Sequence, residues 1–138
     1  MRDLQGKTVF LTGAASGIGK QLALQLADAG CHLLLVDRDQ DGLAALAAEL
    51  EPSEVRVRTY NCDLSVSDNV RQTVESAQRD ADVIDILINN AGVAWYGSTH
   101  QMTQQQWEWL MSINLLAPIQ ITQLLLPHLL ERPDAHIV

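Results

Sequence analysis

Thr12-Gly13-Ala14-Ala15-Ser16-Gly17-Ile18-Gly19 links a short apolar run, Lys7 to Thr12, to a segment in which Ile18, Leu22 and Leu26 recur at helical spacing. A strand that passes through a glycine-rich turn into a helix leaves unpaired N–H groups at the helix N-terminus, where a pyrophosphate can be held. Glycine lets the chain turn tightly and lets the ligand approach the backbone. The spacing is G-x-x-x-G-x-G, not the G-x-G-x-x-G of the commonest dinucleotide turn. A G-x-x-x-x-G-K-S/T phosphate loop also fails, because Ala14 and Gln21 stand where it needs Gly and Ser or Thr. By itself the stretch also fits a plain glycine-rich turn.

The residues on either side decide between these. Gly30 is a stop signal for the first helix. His32 to Asp37 (HLLLVD) is a continuous apolar run of the kind a strand buried on both faces requires. Leu43, Leu46, Ala47 and Leu50 form the next helical stripe, closed by Pro52. Val55 to Tyr60 (VRVRTY) alternates as a strand, with Arg56 and Arg58 on its wetter face. Val66, Val70, Val74, Ala77 and Ala81 share a helical face, with Ser65 or Ser67 as the expected cap.

Val83 to Asn89 (VIDILIN) reads as the fourth strand, and a loop from Ala91 to Met102 follows. A long helical segment then begins at a capping box of Thr103 and Gln106. Trp107, Leu110, Met111 and Leu115 are its expected apolar face, Pro118 its bend, and Pro127 with Pro133 its end. Ala135 to Val138 opens a fifth strand. Strands alternating with helices predict a Rossmann-type doubly wound α/β parallel sheet, here truncated at the start of the fifth strand. Residues 1–138 are expected to be the N-terminal part of a single domain, with no repeat or linker.

Composition narrows the function classes. The 138 residues carry 17 acidic and 9 basic side chains, a formal net charge of −8. A nucleic-acid partner needs a basic stripe, and none is visible. No apolar run approaches the roughly 18–20 residues that span a bilayer. Met1 to Lys7 lacks the apolar stretch and cleavage site of a signal peptide. Cys31 and Cys62 make neither a disulfide framework nor a zinc site, and His100, His128 and His136 have no metal-ligand spacing with acids. The expectation is a cytoplasmic protein with no metal, no membrane and no nucleic-acid partner.

Ligands on open parallel sheets bind beyond the carboxyl ends of the strands. Asp37 ends the second strand 18 residues after Gly19. A carboxylate there can accept both hydroxyls of an adenosine ribose and repels a 2′-phosphate. Arg38, beside it, leaves NADP open, because a guanidinium can meet that phosphate. Cys62-Asp63-Leu64 ends the third strand and Asn89-Asn90-Ala91-Gly92 the fourth. All four strand ends thus carry polar or glycine residues on one side of the sheet. Trp95 and Tyr96, after the fourth strand, either border a substrate or nicotinamide pocket or cover the core.

Thr12-Gly13, Gly17, Gly19, Asp37, Asp63-Leu64, Asn89-Asn90-Ala91-Gly92 and Asn114 together resemble the short-chain dehydrogenase/reductase family, in its shorter-chain branch, from Gly6 to Val138. The resemblance implies a cofactor site. Gly13, Ser16, Gly17, Ile18 and Gly19 would surround the pyrophosphate, and Asp37 would bind the adenosine ribose and favour NAD over NADP. Ser16, where a basic residue would select NADP, points the same way. Asp63 would meet the adenine edge with Leu64 packed nearby. Asn90, Ala91 and Gly92 would line the adenosine side and steady the central strand. Asn114 would match the family's catalytic Asn, whose backbone distorts its helix and holds a water of the proton relay.

The family also relies on a Ser after the fifth strand and a Tyr-x-x-x-Lys on the next helix. Here Tyr60 and Tyr96 are followed four positions later by Leu64 and His100, and Lys7 and Lys20 are the only lysines. No such motif can be assembled from these residues. The leading expectation is the cofactor-binding portion of an NAD(P)-dependent oxidoreductase acting on an alcohol or ketone. The alternative is a non-catalytic nucleotide-binding or interaction protein. Asn89-Asn90-Ala91-Gly92 argues against a methyltransferase. Homo-oligomer formation is expected through the long helix 103–130, where Trp107 and Trp109 cannot both face inward. A bare sheet edge and a face lacking helices are expected to promote aggregation.

Overall fold

The computed structural model describes residues 3–138. Met1 and Arg2, the start of the stretch read for a signal peptide, lie outside the described residues. Five segments become parallel strands: β1 (Thr8–Thr12), β2 (His32–Asp37), β3 (Val57–Asn61), β4 (Ile86–Ile88) and β5 (His136–Ile137). They form one sheet in the order β3-β2-β1-β4-β5. The chain starts at the centre, winds outward through β2 and β3, then crosses back to β4 and β5. That reversal places a topological switch point between β1 and β4.

The helices are α1 (Gly17–Asp28), α2 (Gln40–Leu50), α3 (Ser67–Asp80), α4 (Gln104–Met111) and α5 (Ala117–Leu130), the last two joined by a π-helical turn, Ser112–Leu116. Register sorts the strand residues between the two faces. Val9, Leu11, Leu33, Leu35, Ile86 and Ile88 pack with the buried residues of α1 and α2. Phe10, Leu34, Val36 and Leu87 pack with Val70 and Val74 of α3 and Ile121 and Leu125 of α5. Helices therefore pack on both faces of the sheet from β3 to β4, while β5 stays exposed. Apolar exposure at the β5 edge falls on Ile137 and Val138.

Several local expectations change. β4 is shorter than Val83 to Asn89, and just before it the Asp85 carboxylate accepts the Thr8 N–H while the Asp85 carbonyl accepts the His136 N–H. β3 starts at Val57 because Glu54, at φ +60°, turns the chain out of the 3-10 turn Glu51–Ser53. Neither Ser65 nor Ser67 caps α3. Ser65 Oγ donates to Asp63, and Ser67 Oγ to Gln120. The Thr103–Gln106 capping box is present. Pro127 does not end α5, which runs on to Leu130. A proline removes one N–H bond, while burial of Leu125 and Leu129 on either side holds the helix in place.

The apolar face of the long helix also differs. Trp107, Met111 and Leu115 are exposed, and the buried stripe is Ile113, Ala117, Ile121, Leu125 and Leu129. A π-turn inserts one residue and rotates the following face by about 100°. The stripe read from helical spacing in α4 therefore does not continue into α5. Gln104–Leu130 is also one helical run long and apolar enough, by length and composition, to cross a membrane. This corrects the reading that no segment approaches that length, although the Ile121–Leu125–Leu129 stripe lies against the sheet.

Asp85 ties the amino ends of β1 and β4 together. It is 1% exposed, accepts the Thr8 N–H at 3.0 Å, and pairs with Arg132 Nε at 2.9 Å and Lys7 Nζ at 3.8 Å. Removing the carboxylate strands a buried N–H and two cations. Asp85→Ala is expected to destabilise the fold by about 2–4 kcal/mol, read as a lower urea midpoint at unchanged slope.

Candidate functional site

The carboxyl ends of β1 to β4 meet at a cleft of about 360 Å³. Thr12, the last residue of β1, is buried next to the lining residues Gly13, Asn90 and Ala91. Thr12 Oγ1 accepts the N–H groups of Asn90 and Ala91, both at 3.1 Å. Asn90 Nδ2 donates back to the carbonyls of Thr12 and Gly13, at 3.0 and 3.2 Å. The glycine turn thus rests directly on the segment that follows β4. A Cβ on Gly13 would lie 2.8 Å from Ala91 Cα, and one on Gly19 would be driven into the Gly13 carbonyl oxygen. These two glycines are needed for close packing.

Gly17 differs. Its φ is +52°, and nothing lies within 4 Å of where its Cβ would be. Ser16, the N-cap of α1, makes no side-chain capping bond, and the first turn holds no acid. The N–H groups at this helix start therefore have open space above them, as a diphosphate requires. Gly13, Ser16, Gly17, Ile18, Asp37, Arg38, Asp63, Leu64, Asn90, Ala91 and Gly92 all line the cleft. Gly19 does not, because it packs beneath the turn.

Asp37 accepts the Ala15 N–H on Oδ2 at 2.9 Å and the Asp39 N–H on Oδ1 at 3.0 Å. Asp63 accepts both the N–H and the hydroxyl of Ser65 on Oδ1, at 2.9 and 2.7 Å. Those Ser65 bonds, aided by the Arg38 guanidinium, hold the Asp63 carboxyl below its usual range. Asp63 is accordingly an anion near neutral pH. Cys62, beside it, is buried, and that burial pushes its thiol up.

Asn114 sits in the π-turn and does not line the cleft. Its Oδ1 accepts the Val93 N–H and its Nδ2 donates to the Val93 carbonyl, each at 2.8 Å. This two-bond clamp fastens the loop after β4 to the long helix. Sequence reasoning missed Cys62, Val93 and Ile113 as lining residues. Each adjoins a motif residue, so proximity to Asp63, Gly92 and Asn114 was the available signal.

Other candidates lie elsewhere. Tyr96 is 91% exposed. Tyr60 donates to Asp80 at 2.8 Å, and its phenol is raised by burial first and by Asp80 second. Lys7 pairs with Asp85, and Lys20 with Glu49 at 2.7 Å.

The sequence profile of the short chain dehydrogenase family matches residues 7–138. The chain belongs to this family. Among its members, a CLA biosynthesis dehydrogenase/reductase from Lactiplantibacillus plantarum is 33% identical over 132 residues, 96% of this chain and 46% of the relative. The D-threitol dehydrogenase of Mycolicibacterium smegmatis is 33% identical over 135 residues, 98% of this chain and 52% of the relative. The chain spans about half the length of these curated relatives.

Solved family structures agree in fold. A metagenomic short-chain oxidoreductase in complex with NADP superposes with a TM-score of 0.92 at 32% identity, covering 97% of this chain and 61% of the other. A Burkholderia phymatum member in complex with NAD gives 0.92 at 28% identity, covering 99% and 49%.

Two predictions follow from the local geometry. Gly17→Ala should cost about 1–2 kcal/mol of backbone strain and keep the fold, whereas Gly19→Ala should cost more, because the Gly13 carbonyl must move. Urea unfolding of the two variants compares them. Because the Asp63 carboxyl lies below its ordinary 3.8 when folded, its contribution is present above that value and is lost as pH falls through the folded one. Asp63→Asn should therefore flatten the loss of stability between about pH 5 and pH 2, measured as urea midpoint against pH.

Proposed function

We propose that the cleft binds a nicotinamide adenine dinucleotide, NAD in preference to NADP, and that the protein is the cofactor-binding portion of an oxidoreductase acting on an alcohol or ketone. The observation that carries this reading is the open backbone above Gly17, at an uncapped helix start, with the Asp37 carboxylate beyond it on the same rim. When bound, the nicotinamide ring would supply hydride exchange with the substrate carbon.

The chain's own residues have distinct tasks in this reading. Gly13, Ser16, Gly17, Ile18 and Gly19 shape the pyrophosphate seat. Asp37 accepts the ribose hydroxyls on its remaining lone pairs and repels a 2′-phosphate, against the pull of Arg38. Asp63 takes the adenine amino edge, with Leu64 against the ring, while Asn90, Ala91 and Gly92 form the wall. Asn114 is the catalytic candidate. A π-turn deprives carbonyls of their ordinary helical partners, which supports a carbonyl there holding a water for proton transfer. Outward-facing Trp107, Met111, Leu115 and Ile119 support a homo-oligomer through helix 103–130. A cytoplasmic setting without nucleic acid or membrane partners belongs to the same reading.

One observation favours a second reading, nucleotide binding without turnover. Lys7, Lys20 and Tyr60 are engaged by acids outside the cleft. Calorimetry is expected to show weak NAD binding by this chain, lost by at least about 10-fold in Gly17→Asp, whose carboxylate would occupy the pyrophosphate seat. Equal affinity of the two proteins would place the site elsewhere. Absorbance assays with NAD and a panel of alcohols are expected to show no NADH above a blank, and turnover would exclude the second reading.

A further inference from the structure

Asp37 touches three elements of the cleft. Its carboxylate accepts the Ala15 N–H in the glycine turn and the Asp39 N–H at the N-cap of α2. Its backbone carbonyl accepts the Cys62 N–H at 2.9 Å, beyond the end of β3. The two carboxylate bonds have different surroundings: the one to Asp39 is exposed and the one to Ala15 is partly buried. Water can replace the carboxylate at Asp39. At Ala15 a lost acceptor leaves a shielded donor without a partner.

Ala15 directly precedes Ser16, which makes no capping bond, and Gly17, whose φ of +52° only a constrained turn holds in one place. A backbone tie on this side is the Ala14 N–H to the Val36 carbonyl, at 3.2 Å. The Asp37 carboxylate is therefore the side chain that fixes the turn from the β2 side.

We propose that Asp37 is a positioning residue for the glycine turn: by holding the Ala15 N–H it presets the Ser16–Gly17 backbone that receives the pyrophosphate. The proposal rests on the dinucleotide reading above and extends this residue's task from the ribose to the diphosphate. The two tasks need different chemistry. Discrimination against a 2′-phosphate needs negative charge, whereas the turn needs only an acceptor. Asparagine keeps an acceptor for Ala15 without the charge, and alanine keeps neither. Acceptance of NADP is thus reached through Asp37→Asn and not through Asp37→Ala.

Amide hydrogen exchange on the nucleotide-free chain tests the positioning step by itself. Exchange at Ala15 is expected to speed up about 10–100-fold in Asp37→Ala and to stay within about 3-fold of the unaltered chain in Asp37→Asn. In titrations, Asp37→Asn should bind NAD and NADP with similar affinity, and Asp37→Ala should bind both at least about 10-fold more weakly than Asp37→Asn. Unchanged Ala15 exchange in Asp37→Ala, or nucleotide binding by Asp37→Ala as tight as by Asp37→Asn, overturns the proposal.

If Asp37→Ala does not fold, the unaltered chain decides the matter. The Ala15 amide proton shift must follow protonation of the Asp37 side chain, and independent titration of the two overturns the proposal. Failure of the unaltered chain to bind either nucleotide, with Ala15 exchange responding as stated, would instead overturn the dinucleotide reading.

Discussion

Thr12 Oγ1 accepts two backbone N–H groups from the segment after β4 and donates to the Ile88 carbonyl at 3.4 Å, while the Asn90 amide returns two bonds to Thr12 and Gly13. This network closes the switch point, where β1 and β4 are adjacent in the sheet but distant in the chain. Strand ladders stop here, so the backbone groups need other partners, and a buried group left unpaired is costly. Satisfied together in a partly buried setting, such bonds reinforce one another and hold a single geometry. The glycine turn, the wall of the cleft and the approach to Asn114 all inherit their positions from it.

From that stitch the cleft divides into two chemical halves. Near Gly17 the surface is bare backbone at the positive end of a helix, suited to phosphate. Toward β2 and β3 it is lined by the carboxylates of Asp37 and Asp63, suited to hydroxyl and amino donors. An acidic chain of net charge −8 can still hold an anionic ligand, because N–H groups act over a few ångströms while the screened field of scattered surface acids does not prevail there. Beyond Gly92, the Asn114 clamp on Val93 carries the same rigid frame to the π-turn of the long helix.

The long helix turns its apolar side away from the face that its spacing predicts. Helical spacing assumes 3.6 residues per turn throughout, so Trp107, Met111 and Leu115 looked like a core face. Trp107 and Met111 precede the π-turn in a helix that buries none of its residues, and the buried stripe begins only within the turn, at Ile113 and then Ala117. Asp85 was similarly invisible as a structural residue. Its charge lay within an apolar run, and only the approach of Thr8, Lys7 and Arg132 accounts for it. Ser65 read as a cap because its type favours that role, but its hydroxyl serves Asp63 instead.

The sequence by itself determined the alternation of strands and helices, the glycine turn and most of the residues that line the cleft. Each of these is written in local spacing: apolar runs of strand length, glycines where no side chain fits, and polar residues at strand ends. Tertiary structure alone decided which acids are structural and which face a ligand, where the long helix turns its apolar side, and that Asp37 is bonded to Ala15. Those outcomes depend on contacts between segments far apart in the chain, such as Thr12 with Asn90 and Val93 with Asn114. No local pattern encodes such distances.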